Sequence, residues 1–205
     1  TDFSALNGEC KSECPGAPDP VIERMIRNSA IEFCEKSLIY KRTLDPISIL
    51  AEQPLYQLNP PEETSIIEVV NAQIGEDAPL EQTATDLLDL WWRSHEGWPS
   101  WFSHLCSCCS DGSSESNGTG HWRQLTQIRP EAFFIDREED TYRIRLVGIP
   151  TEALTDTLIT RVSLKPSLEA DSLPNWIVEK YFEAIMAGAK FRLMRMPKKE
   201  WTSFD

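Results

Sequence analysis

Apolar side chains return at two different intervals along this chain, and the interval changes near residue 40 and again near residue 172. Between Asp19 and about Tyr40, Ile22, Met25, Ile26, Ser29, Ala30, Phe33 and Ser37 recur every three or four positions. That spacing sets them on one face of a helix, with Asp19 as its cap and Pro20 at its first position. From about Pro174 to Pro197 a second helical pattern is apolar on more than one side. Ile177, Tyr181, Ala184, Ile185, Gly188 and Arg192 share one face, and Val178, Phe182, Ala189 and Leu193 the adjacent one. A helix of this kind needs more than one neighbour. The small residues Ala184, Ala187, Gly188 and Ala189 predict a close approach by another backbone, either a second helix or a neighbouring subunit.

Between the helices the period shortens. Ile47–Leu50, Leu55–Leu58, Thr64–Ile74, Ala132–Asp136, Tyr142–Val147 and Leu158–Leu164 read as strands, separated by Pro46, Pro54, Pro60, Pro61 and Gly75. A short helix is expected over Thr83–Trp92. The order helix, strands, helix predicts an α+β fold: long N- and C-terminal helices forming a helical base, with an inserted antiparallel β-sandwich or barrel-like lobe. The expected divisions are an irregular arm at 1–18, the base at 19–40 and 172–205, and the β-rich lobe at 41–171, which carries a Cys/Trp/Ser-rich loop at 93–122.

At 205 residues the chain is long enough for one core or for a helical core with an inserted domain. Its 33 acidic against 20 basic residues leave a net charge of -13, which disfavours a dedicated nucleic-acid binder but suits a surface that DNA slides past. No stretch has the roughly 20 apolar residues of a membrane span, and Thr1–Ser4 show no targeting pattern, so a cytosol-like compartment is expected. Basic residues Lys190, Arg192, Arg195, Lys198 and Lys199 crowd the end of the last helix, where its dipole favours cations.

The cysteines and tryptophans supply the candidate chemistry. Cys10 and Cys14 stand in a CxxxC spacing, and His104, Cys106, Cys108 and Cys109 cluster in the loop. These permit a disulfide among Cys10, Cys14, Cys106, Cys108 and Cys109, a zinc site, or free thiols. The spacing lacks the paired CxxC of structural zinc sites. Cys34, on the core strip of the first helix, reads as a small buried hydrophobe. A Cys/His nucleophile using His95, His104 or His121, or an acid–base pair at Asp86 and Asp89, has weaker support, because loop histidines and acidic helix faces are ordinarily solvated. Trp91, Trp92, Trp98, Trp101 and Trp122 suit subunit contact or stacking on a sugar or base. Gly112, Gly118 and Gly120 lack the strand and lysine of a phosphate loop. No catalytic residue, metal or cofactor is expected.

Two groups of residues resemble a known family. Asp19-Pro20-Val21-Ile22, Ala30-Ile31-Glu32-Phe33-Cys34-Glu35 and Leu44-Asp45-Pro46-Ile47 are similar to the opening of head-to-tail adaptor (connector) proteins of tailed bacteriophages. Val162-Ser163-Leu164-Lys165-Pro166-Ser167, Leu173-Pro174-Asn175-Trp176-Ile177, Tyr181, Glu183-Ala184-Ile185, Ala187-Gly188-Ala189 and Met196-Pro197-Lys198-Lys199-Glu200-Trp201 resemble their closing strand and helix. The resemblance covers roughly 18–92 and 131–204, with 93–122 as an insertion. It implies a structural ring of about twelve copies, assembled in the host cytoplasm and seated in the virion at the head–tail interface. The ring would have the portal protein above it and a tail or neck protein below. Double-stranded DNA would pass through without tight binding, and no membrane would be involved. The expected oligomer and portal contacts are Trp176, Tyr181, Ala184, Gly188, Arg192, Arg195, Lys198, Lys199 and Trp201. Relatives continue beyond the position of Asp205; if they grip the portal with that extension, another segment does so here. The alternative function is a tail or baseplate binding module that uses the Trp-rich loop, followed by a zinc-binding protein.

Overall fold

A computed structural model describes residues 1–94, 126–138, 141–197 and 201. It is an α+β protein with, among the described residues, four α-helices and ten strands. The chain divides into two compact units. One comprises Thr1–Arg42, Pro60–Glu68 and Val162–Asp205, the other Thr43–Asn59 and Val69–Arg161. Residues 60–68 and 162–171, expected in the inserted lobe, therefore belong with the helices. Two long strands cause the shift: each begins in one unit and ends in the other.

In the helical unit, α2 (Asp19–Ser37) buries Ile22, Met25, Ile26, Ser29, Ala30 and Cys34. Ser37, expected on the same strip, is exposed, because the helix ends there with Leu38 in the left-handed conformation. Asp19 is a helical residue and not the cap. Pro18 occupies the cap position in extended conformation, and Asp19 is paired instead with Lys11 at 2.5 Å. The last helix, α4 (Asn175–Met194), buries Ile177, Val178, Ile185, Met186, Ala189 and Leu193 and departs from helical dihedrals at Tyr181. It packs along α2.

The irregular arm expected at 1–18 is instead ordered. A 3₁₀ turn at Phe3–Leu6 leads into α1 (Asn7–Glu13), and Phe3, Leu6, Cys10 and Cys14 are buried. The turn and α1 both pack on α2, and α1 also packs on α4. The segment enters as an added strand: Asp2 bridges Ser172, the Phe3 N–H donates to Asp171 O at 3.0 Å, and the Leu173 N–H donates to Thr1 O at 3.0 Å. Gly8, Pro15 and Gly16 disguise this element, since breakers lower a local helix signal that tertiary contacts then override.

In the β-rich unit, β7 (Ala132–Glu138) and β8 (Thr141–Val147) form an antiparallel pair in register from Ala132↔Val147 to Glu138↔Thr141. β3 (Leu55–Gln57) pairs antiparallel on β8, and β5 (Glu81–Gln82) pairs parallel on β7, giving the order β3-β8-β7-β5. Period-2 alternation sorts β8: Tyr142, Ile144 and Leu146 are buried, while Arg143 on the other face pairs with Asp136 at 3.1 Å and Glu138 at 2.7 Å.

A second sheet holds β1 (Lys41–Thr43), β10 (Thr157–Pro166) and β2 (Ile47–Ser48) in the order β1-β10-β2, with β4 (Thr64–Ile74) also on β10. Leu158, Thr160, Val162, Leu164 and Pro166 make one continuous buried face of β10. After β4 the chain turns at Gly75 (φ +61°), where an added Cβ would stand 2.9 Å from Asp156 Cγ. Glycine is favoured there on both conformational and steric grounds. β6 (Thr126–Gln127) pairs parallel with β9 (Ile149–Pro150), and α3 spans Thr85–Ser94.

Because Phe3 is 1% exposed, Phe3→Ala should cost about 3–5 kcal/mol of stability, the range for deleting a buried aromatic ring. A loose arm would show no change. Urea unfolding followed by circular dichroism separates the two.

Candidate interface on the helical unit

The residues expected at an intersubunit contact lie mainly along α4, and the structure divides them. Some face α2 of the same chain and some face solvent. Gly188 belongs to the first group. Ser29 on α2 is buried and donates from Oγ to Ile185 O at 2.7 Å, a hydrogen bond made directly across the two helices. A Cβ on Gly188 would overlap that hydroxyl and stand 3.4 Å from Ser29 Cβ. The close approach expected from the small residues is therefore met by a second helix within the chain, and Gly188, half-buried, also lines the groove between the two helices.

Tyr181 and Arg192 are drawn into the same seam. The Tyr181 ring lies 5.2 Å from that of Phe33 on α2. Arg192 pairs with Glu32 and donates to Gly188 O at 3.2 Å, so its guanidinium closes the last turn of α4 against α2. Lys190, on the opposite flank, is only 15% exposed and pairs with Glu13 at 2.6 Å and Glu9 at 3.4 Å on α1. Its ammonium is held above the usual lysine range, first by the hydrogen bond to Glu13. Two cations of this basic end, Lys190 and Arg192, are thus paired with acids of α1 and α2.

The solvent-facing group is smaller. Trp176 is 43% exposed, with its ring edge-on to Tyr40 at 6.4 Å, and Ala184 is exposed. Arg195 is exposed, with its guanidinium 5.0 Å from the centre of the Phe191 ring. Trp201 is half-buried, whereas Lys198 and Lys199 lie outside the described residues. Two residues were absent from the expected contacts. Phe191 is 58% exposed, and Phe33 is half-buried. With Ala184 they line a groove of about 680 Å³ between α2 and α4, whose rim carries Lys36 and Arg195. An apolar pattern that covers most of α4 conceals which of its residues α2 will cover, so Phe191 had no distinguishing signal in the sequence.

Comparison with models of known protein families gives no match, and neither does comparison with curated proteins.

Cys10 and Cys14 are free, fully buried thiols, which among the three possibilities of disulfide, zinc site and free thiol is the last, while Cys106, Cys108 and Cys109 lie outside the described residues. Burial raises both, and Cys10 is pushed up to about 11. Cys34 is likewise free and buried on α2, and burial pushes it up to about 11 from the ordinary 9.0. Thiols so strongly protonated make poor nucleophiles. Cys106, Cys108, Cys109, the three histidines and Trp98, Trp101 and Trp122 lie outside the described residues. Among the described residues no three Cys, His, Asp or Glu side chains are grouped to hold a metal ion. No helix there is long and apolar enough to cross a membrane.

Two predictions test this seam and its buried thiols. Gly188→Ala should destabilise the chain by about 1–3 kcal/mol through overpacking, and Ser29→Ala by about 1 kcal/mol through the lost hydrogen bond. In the Ser29→Ala background the glycine substitution should become neutral or stabilising, because the obstructing oxygen is gone and alanine is the better helix former. A double-mutant cycle by urea denaturation measures this, and additive penalties would disprove the steric link.

For the thiols the sign follows from their raised values in the folded chain. Cys10 and Cys34 hold their protons to about 11, whereas the ordinary value is 9.0. Between these limits the unfolded state binds fewer protons, so stability should be level up to about pH 9 and fall as pH rises towards 11. Tyr40 and Tyr56, also raised by burial, add to the fall at its upper end. Cys34→Ala should make the fall shallower in urea titrations across that range.

Proposed function

We propose that the chain is a structural head-to-tail adaptor of a tailed bacteriophage. In this reading about twelve copies form a ring below the portal, extend the DNA channel and dock the tail. The α2–α4 pair is the helical base, and the β-rich unit is the inserted lobe. The role is mechanical and needs no catalytic residue or cofactor.

The observation that carries this reading is the meeting of the two resembling ends. Asp19–Ile22 and Ala30–Glu35 lie in α2, while Trp176, Tyr181, Glu183–Ile185 and Ala187–Ala189 lie in α4, and the two helices pack together. Motifs separated by more than a hundred residues of sequence thus belong to one packed helix pair. The charge supports the same role. A net charge of -13, with Lys190 and Arg192 of α4 matched by Glu9, Glu13 and Glu32, gives little counterion-release gain to a passing duplex. The tail-module alternative rests on the Trp-rich loop at 93–122, which lies outside the described residues beyond Ser94.

Sedimentation and electron microscopy of the purified chain, alone and mixed with the portal protein of its phage, test the proposal. Rings of about twelve copies seated on the portal are expected. A chain that stays monomeric in both settings would rule the ring out.

A further inference from the structure

An exposed apolar side chain on a firmly held turn lies on the side of α2 away from the groove. Leu168 is 75% exposed, the most exposed of the large apolar residues described. The turn beneath it is tied at several points: Ala170 N–H donates to Ser167 O at 3.2 Å, Ser167 N–H to Glu63 O at 2.8 Å, and Glu169 N–H to Ser167 Oγ at 3.3 Å. From α2, Arg27 donates to Leu168 O at 3.1 Å and pairs with Asp171 at 3.1 Å. Holding an apolar side chain in water at a fixed position gives folding nothing, but it lowers the ordering cost of a later contact.

The groove has the complementary character. Phe33, Ala184 and Phe191 give it apolar lining, and the rim cation Arg195 has no carboxylate partner among the described residues. Lys36 and Arg192 already share Glu32. Beside Leu168, Glu169 is exposed and has no cationic partner among the described residues, and Asp171 remains 82% exposed despite Arg27. Apolar knob with acids and apolar groove with a cation are thus complementary in polarity and charge.

The placement of the two surfaces decides what kind of contact they make. Arg27, which holds the knob, and Lys36, on the groove rim, are nine residues apart on α2, which is about two and a half turns. They therefore point to opposite sides of the helix. A knob and a groove on opposite sides of one helix cannot satisfy each other within a chain, and between chains they join head to tail, the arrangement that gives a ring when its rotation closes and an open filament when it does not.

We propose that the Leu168 turn of one copy docks in the α2–α4 groove of the next, with Leu168 against Phe191 and Phe33 and with Glu169 meeting Arg195. The proposal rests on the ring reading and names the contact that would build it.

The test uses Leu168→Ser and Phe191→Ser, both at exposed positions, with circular dichroism melts confirming the fold and sedimentation equilibrium reading assembly. Each should weaken self-association roughly a hundredfold, the order expected from removing a large apolar contact. An equimolar mixture should give a one-to-one dimer that adds no third copy, since only one intact knob can reach one intact groove. Arg195→Glu alone should weaken assembly, and adding Glu169→Lys to the same chain should restore it. That pair serves as the test should either serine variant fail to fold. Serine variants that assemble like the unaltered chain, or a mixture that stays monomeric, would overturn the docking and leave the ring to another surface. An unaltered chain monomeric up to about 1 mM, alone and with the portal protein, would overturn both.

Discussion

The helical unit depends on how closely α2 and α4 approach one another, and that distance is set at one point. Ser29 donates its buried hydroxyl to the backbone of α4 at Ile185, and Gly188 leaves the space for it. With the helices held at this separation, Glu32 reaches Arg192 and Phe33 reaches Tyr181. The hydrogen bond itself is worth about 1 kcal/mol. Its larger effect is to fix register, because a polar group buried between apolar helix faces tolerates only the alignment that satisfies it. The same alignment leaves Phe191 outside the seam and gives the groove its shape.

Charge is arranged on top of this packing. An acidic chain would ordinarily leave a cluster of five cations at a helix end available to an anionic partner. Here Glu9 and Glu13 on α1 bind Lys190, and Glu32 on α2 binds Arg192. Folding thus brings acids from distant parts of the sequence to two of these cations. Arg195 is left over, resting on the exposed Phe191 ring. Such exposed ion pairs contribute little to stability individually, since solvent screens them, but they decide which charges remain for contact with another molecule.

The N-terminal segment completes the same unit from the other side. Its first residues add to the chain around 171–173, and α1 with the residue that caps it lays Cys10 and Cys14 into the core. Burial outweighs the nearby Lys190 ammonium, which favours thiolate, so these cysteines act as small apolar residues. That fate was legible for Cys34, which sits on a recognisable core strip. It was not legible for Cys10 and Cys14, whose spacing reads equally as a disulfide or ligand pair.

Local pattern by itself determined the existence and type of the main elements. The α2 strip, the strand at Thr64–Ile74, the β7–β8 pair and the long apolar α4 all follow from side-chain periodicity, because a helix or strand exposes its own repeat in the sequence. The strip also named Ser29 as inward-facing, and the small residues of α4 announced a close neighbour. What only the tertiary structure decided was the identity of that neighbour. Gly188 reads the same whether it receives a helix of its own chain or of another, since the missing Cβ carries no information about its partner. For the same reason the sequence grouped Tyr181 and Arg192, which meet Phe33 and Glu32 of α2, with Trp176, which meets Tyr40. It also passed over Leu168, because a single apolar residue in a polar turn has no period, and its exposure depends on Arg27 and Glu63, more than a hundred residues away along the chain.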